Sequence, residues 1–450
     1  MNFRTLLMAG AALIVFSNPV LADERYDRIQ LLEQQVQMLA AEIQSLKQEQ
    51  KQDRQTVAAI EQNVTKKLEN APTQPQTENS AKVTMNPSPK IKYGDFSWQP
   101  FGRIQLDYAA FNDDKRDHPN GAEFRRARLG MKGQIAKDFG YKAEIDFANE
   151  GVNFKDVYMN YTGIDNTEIR LGNFKPPMGL EEMTSGNDIT FIERSAATSA
   201  FATGEIIGAG VLTHGENWSV STGLFNDDAG RQRTDDEAWS AGVRGTYAPL
   251  HESGKVVHIG GSATYRKPNQ ANDSFDFDAT AENAIQSVDS VSANFTDADN
   301  AQLYGLEAAG VLGPFSAQGE YFLVDVERTN GRSNLDFSGG YAQASWVLTG
   351  ESRSYSAKDG KFGTVKPAHA FNPRNGDWGA VEIAARYSTI DVTDQDISGG
   401  EMDNYTFGAN WYLNNNMRLM ANYILVNTDN SAVTANDDPQ ILLLRSQVNF

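Results

Sequence analysis

From residue 96 to 450 the chain alternates apolar and polar residues in runs of about ten, the two-residue period of strands with unlike faces. In Arg103–Tyr108, Ile104, Leu106 and Tyr108 take one face, and Arg103, Gln105 and Asp107 take the other. In Tyr141–Phe147, Tyr141, Ala143, Ile145 and Phe147 oppose Lys142, Glu144 and Asp146. The alternation returns from Trp218, Trp239, Tyr405 and Met417, with Gly, Asn and Asp clusters between runs. About sixteen such segments fit between residues 98 and 450.

A secreted β-sandwich would bury the apolar face, and a membrane barrel would turn it to lipid. Three features favour the barrel. Aromatic residues recur near segment ends, as interfacial girdles do. The opposite face carries Glu144, Asp146, Arg244 and Arg386, too many full charges for a dry interior. The chain closes on an alternating run ending in Phe450, which resembles the insertion signal of bacterial outer-membrane proteins. The pattern therefore predicts an all-β fold, a transmembrane antiparallel β-barrel of about 16 strands over 96–450, preceded by an N-terminal coiled-coil helix. With both termini on the inner side, the outer connections would be 112–122, 149–153, 175–205, 226–238, 267–301, 326–336, 390–403 and 427–439.

Upstream the period changes. Residues 1–22 pair Arg4 with an apolar core and end at Val20-Leu21-Ala22, the form of a secretory signal peptide. In the segment 23–70, Ile29, Leu32, Val36, Leu39, Ile43 and Leu46 recur at alternating three and four, which predicts a short coiled coil or a single solvated amphipathic helix. Residues 71–95 open with four prolines among polar residues and read as a linker. Acidic residues outnumber Lys and Arg by 59 to 40, which argues against nucleic acid as a partner. The carboxylates of 227–237 lack metal-loop spacing and read as solvated loop charge. There is no Cys, no HExxH and no GxSxG, so no catalytic residue, metal or cofactor is assigned and an enzyme is not expected.

The stretch 124–133, FRRARLGMKG, sets three arginines and a lysine in this acidic chain. Parity sends Ala127, Leu129, Met131 and Ile135 to lipid, and Arg126, Arg128, Lys132 and Gln134 to the lumen. Arg125 falls on the lipid parity, near enough to the outer end to reach headgroups. Two roles for the inward cations stay open: a ladder for oxyanions, whose geometry guanidinium matches, or pairing with Glu144 and Asp146 on the next strand.

The segments EFRRARLGMKGQI, LGNFKPPMGLEEMTSGNDITFIERS and GKFGTVKPAHAFNPRNGDWGAVEIAARYS resemble the phosphate-selective porin O and P family over roughly residues 98–450. That resemblance implies a passive porin of the bacterial outer membrane, a homotrimer of sixteen-stranded barrels in lipid and lipopolysaccharide, passing small anions such as phosphate or polyphosphate. It places Arg126 and Arg128 on an arginine ladder, with Lys132 beside them, and makes 175–205 the constricting loop, with Lys175 and Arg194 as its cations. The connection 351–378 is expected to fold partly inward as further positive charge. The chain departs from the family in 175–205, where Glu181, Glu182, Asp188, Glu193 and Glu205 face only two cations. An anion-preferring pore is then easier to defend than a tight dehydrated phosphate site. The alternative is a general porin of weak selectivity whose coiled coil, about 60 Å long at 1.5 Å per residue, tethers the envelope.

Overall fold

The computed structural model describes residues 44, 81–85, 87–148, 151–226, 238–269, 273–286 and 288–450. The chain divides into Met1–Thr77 and Glu78–Phe450, and only the second unit is treated below. The expected signal peptide, the coiled coil apart from Gln44, and the acidic cluster 227–237 lie outside the described residues.

In chain order the strands begin with β1 Lys82–Met85, β2 Pro89–Tyr93, β3 Phe96–Asn112, β4 Gly121–Ala136, β5 Phe139–Asp146, β6 Asn153–Ile164 and β7 Thr167–Phe174. Two short helices follow, α1 Leu180–Met183 and α2 Ala196–Phe201. Then come β8 Ile206–His214, β9 Trp218–Phe225, β10 Trp239–Glu252, β11 Lys255–Lys267, β12 Phe275–Ala279, β13 Val291–Phe295 and β14 Ala298–Leu312. The remainder are β15 Phe315–Arg328, β16 Leu335–Val347, β17 Arg353–Ser356, β18 Lys361–Val365, β19 Ala380–Asp394, β20 Ile397–Tyr412, β21 Met417–Asp429 and β22 Gln440–Asn449.

Sixteen of these strands pair antiparallel in sequence from β3 round to β22. The pairing of β22 with β3, Gln440 opposite Asn112 through Asn449 opposite Arg103, closes the sheet into a barrel. Closure leaves no free edge, the condition for strands to span a bilayer. Backbone bonds between Gly102 and Phe450, at 2.9 and 3.0 Å, fasten the last residue at the seam. Short connections gather at this terminal end. Two of them turn on Asn166 and Gly254, whose positive φ values of 54 and 71 suit two-residue hairpins.

The structure corrects two boundaries. The outer connection expected over 390–403 is a two-residue turn at 395–396, because β19 and β20 stay paired as far as Asp394 and Ile397. Lys82–Met85 and Pro89–Tyr93, inside the expected linker, pair as the hairpin β1–β2, which continues into β3 through Ile91 opposite Trp98.

The exterior carries Leu129, Met131, Leu306, Leu323, Phe407 and Leu444, all exposed as lipid contact requires. Exposed aromatics form two belts: Trp218, Tyr247, Phe315 and Trp346 near the terminal end, and Tyr108, Phe124 and Trp239 near the far end. The inner face is not uniformly polar. Near the far end its positions include Phe322, Val324, Phe337, Ile390, Ile424, Val426, Ile441 and Leu443, and all are buried.

What buries them is loop. The β12–β13 hairpin, in the connection expected as the outer loop 267–301, and helix α2 of the third outer loop pack into the mouth of the barrel. Phe201 of α2 lies 5.8 Å from Phe277 and 6.3 Å from Phe322, while Phe277 lies 5.7 Å from Phe337. Each such ring taken from water contributes about 1.5–3 kcal/mol, which favours folding the loops inward. Small residues let α2 approach: a side chain on Gly339 would come within 2.8 Å of Ala197 Cβ.

Candidate functional site

Loop 3, residues 175–205, crosses the lumen as a strap held by its backbone oxygens. Gln105 reaches Gly186 O (3.3 Å), Gln447 reaches Asn187 O (3.2 Å) and Arg353 reaches Asp188 O (3.1 Å). Arg418 donates to Ile189 O and Thr190 O at 2.8 and 2.9 Å, and Asn410 adds a bond to Thr190 O at 2.9 Å. Arg445 reaches Ile192 O (2.5 Å) and Arg386 reaches Glu193 O (3.1 Å). These donors sit on inward positions of β3, β17 and β19–β22, so several lumen arginines hold the loop rather than face a passage. The hairpin β17–β18 within 351–378 does fold inward. Tyr355 Oη meets His258 Nδ1 at 2.6 Å, and Arg244 donates to Gly360 O at 2.7 Å.

With the loops packed toward β14–β22, a cavity of about 260 Å³ remains against β3, β4 and β6, lined by seven cations and three carboxylates. Arg126 and Arg128 of β4 line it with Lys175 and Arg194 of loop 3, so four of the five residues singled out in the sequence meet there. Lys132 is not among them. A side chain on Gly130 would lie 2.5 Å from the Phe101 ring, and that ring fills the step between Arg128 and Lys132. Lys132 sits beyond it, 5.5 Å from the ring centroid, with Lys142 at 5.3 Å.

Arg103, Arg125 and Lys155 complete the cationic lining. Arg103 was legible by parity. Arg125 is a correction: it does not reach for headgroups. Gln105 pairs with Arg126 and Leu106 with Phe124, so Arg125 is the extra residue of a β-bulge. The bulge resets the alternation and brings the side chain inward, where Arg125 binds Glu193 through two bonds of 2.9 and 3.1 Å. A second irregularity, between Ala143 and Ile145 of β5, lies opposite Lys155.

The acids of loop 3 do not form a block. Glu193 takes Arg125 and, at 2.6 Å, Arg445, with Arg126 at 3.6 Å. Glu182 takes Lys175 at 2.5 Å and Arg194 at 3.0 Å, while Glu205 meets Lys155 at 3.3 Å. Glu181 faces Arg386 at 3.3 Å. Of the two roles left open for the β4 arginines, the pairing with the next strand is made by Arg128, which binds Asp146 at 2.6 Å and nears Glu144 at 3.7 Å while lining the cavity.

Charge sets how these loop acids titrate. Burial works to raise the Glu205 carboxyl, but Lys175, Lys155 and Arg128 pull it down to about 2. Burial likewise opposes Glu193, and Arg125, Arg126 and Arg445 hold it well below the usual range. A depressed carboxyl stabilises the folded loop above its unfolded pKa and loses that effect only as pH falls through the folded value. Asp188 is opposite: burial raises it against the pull of Arg353 and Arg418. Acidification should therefore neutralise Asp188 above the ordinary aspartate value of about 3.9 while Glu193 and Glu205 stay charged. The expected result is a reversal-potential shift toward anions on acidification, smaller in Asp188→Asn.

A closed sixteen-stranded barrel with an apolar belt outside, and a loop folded within to leave a charged passage, defines a channel of the bacterial outer membrane. Residues 100–450 match the family phosphate-selective porin O and P, and the chain belongs to that family. Porin O of Pseudomonas aeruginosa is 29% identical over 385 residues, covering 76% of this chain and 86% of that protein. An uncharacterized protein of Caulobacter vibrioides is also 29% identical, over 384 residues, 79% of this chain and 74% of its own. Among solved structures, the anion-selective porin from Comamonas acidovorans shares the fold at a TM-score of 0.50 and 14% identity, covering 79% of this chain and all of that one. Pseudomonas putida OprB, in its high-pH structure, aligns at 0.51 with 9% identity over 78% of this chain and 94% of its own. The protein is a channel rather than an enzyme.

Proposed function

We propose that this porin passes small anions in preference to cations, with phosphate- and polyphosphate-type oxyanions as its substrate class. The observation that carries the reading is the excess of cations over carboxylates around the 260 Å³ passage. Arg126, Arg128, Lys175 and Arg194 form the pathway at the constriction, and Lys132 continues it toward the terminal end. Guanidinium presents paired N–H donors to an oxyanion, so an ion can exchange water for protein donors one step at a time. Because Arg128, Lys175 and Arg194 are already paired with carboxylates, the passage is better suited to transit than to tight retention.

The working unit is proposed as a homotrimer, one passage per subunit. The test is the reversal potential of the intact protein in a planar bilayer under a KCl gradient, followed by added phosphate. The expected result is a potential of anion sign and a chloride current that phosphate lowers. A potential of zero or of cation sign overturns the reading, and an anion potential without phosphate block leaves an anion pore with no oxyanion preference.

A further inference from the structure

We propose that Glu282, in the connection between β12 and β13, is the positioning residue that fixes where loop 3 lies and so sets the bore of the passage. The proposal rests on the reading that ions move between loop 3 and the β3–β4 wall.

Glu282 has φ 53, a left-handed backbone that a long side chain rarely adopts. It is 3% exposed, yet nothing in its charge favours a position inside the barrel. Its carboxylate explains the placement. One oxygen accepts from the Ala196 backbone N–H of loop 3, at 3.3 Å, and from the Ser388 hydroxyl. The other accepts from Arg386 and, at 3.0 Å, from Thr406. The connection is ordered by its own bonds, Thr280 Oγ1 to Asn283 O at 2.6 Å and Gln286 N to Asn283 Oδ1 at 2.7 Å. It can therefore present the carboxylate without help from loop 3.

Arg386 is the shared member. Besides Glu282 it holds Glu181 Oε1 at 3.3 Å and Glu193 O at 3.1 Å, both on loop 3. Glu181 in turn accepts from Ser195 N at 3.0 Å. Residues 193–196 are thus gripped by oxygen at one point and by nitrogen at two. The side chain of Glu193 leaves this clamp on the opposite side and meets Arg125 and Arg126 at the passage. The contacts run without a gap from the Glu282 carboxylate to Arg125 and Arg126. The connection between β12 and β13 is more than a filler of the mouth: through Glu282 it holds the strap at a set distance from β4.

The test compares single-channel conductance and reversal potential for the wild type, Glu282→Gln and Thr406→Val in the full chain. Glu282→Gln keeps the shape but removes the charge that Arg386 needs, and Thr406→Val removes a single donor. Retention of the folded barrel is checked by its migration on unheated gels. The expected result is a rise in conductance with a loss of anion preference in Glu282→Gln, and a smaller change in the same direction in Thr406→Val. Wild-type conductance in both folded variants overturns the proposal. If Glu282→Gln does not fold, Thr406→Val decides alone. A wild type without anion preference would defeat the proposed function, whereas a conductance rise in the variants would still support the positioning role.

Discussion

Replacing Arg126 and Arg128 together with glutamine lowers the anion-over-cation permeability ratio by about tenfold, read from the reversal potential in a salt gradient. A unit charge about 8 Å from a passing ion contributes roughly 1–2 kcal/mol at an effective dielectric constant of 20–40, and mobile ions in a wet lumen screen part of it. The sign is reinforced by what remains. Without Arg128, Asp146 loses its 2.6 Å partner and faces the lumen with uncompensated charge. Without Arg126, Glu193 keeps Arg125 and Arg445, so loop 3 stays docked and the change is one of charge rather than of bore. Lys132→Gln should do much less, because Lys132 lies outside the constriction beyond Phe101. An unchanged potential in the double variant would remove this strand from the anion pathway.

The second large effect is expected at Glu193. Three arginines from β4 and β22 converge on this one carboxylate. Removing one member of a buried charge cluster typically costs about 3–5 kcal/mol, because the partners are left buried and unpaired. In Glu193→Gln that cost falls on the docking of loop 3, since the barrel is closed by its own strand pairing. Amide hydrogen exchange should therefore accelerate across 185–201 while the strands keep their protection. Phosphate should block more strongly, since Arg125 and Arg126 lose their internal anion. Protection unchanged in 185–201 would show that the loop does not depend on this junction.

Much of the barrel was legible because lipid outside and water inside impose the same two-residue period on every strand. Strand number, the inward set Arg126, Arg128 and Lys132, and the inward folding of 351–378 all follow from parity and length. Arg125 did not, because a bulge adds one residue and resets parity without leaving a mark in composition. The apolar inner mouth was also hidden. In the run from Gln440, Ile441 and Leu443 look inward and Leu442 and Leu444 outward, and only the arrival of loop residues explains why both faces are greasy. The acidic count of loop 3 misled for a related reason. A charge sum along the chain leaves out partners, whereas in space four of the five loop carboxylates, Glu181, Glu182, Glu193 and Glu205, meet cations, several of them from the barrel strands.

Between Gly186 and Glu193, every carbonyl except that of Phe191 accepts from a side chain of the wall, the adjoining hairpin or β3. A potassium filter works by offering rows of such oxygens to a cation in place of its hydration shell. Here seven of the eight oxygens already accept a side-chain hydrogen bond. Under the proposed anion reading, a cation entering the narrow section finds few free carbonyls to replace its water, whereas an anion finds N–H groups able to take over from water. Discrimination should accordingly sharpen with ionic size: weak for ions that pass fully hydrated, and strong for those large enough to be stripped on the way through.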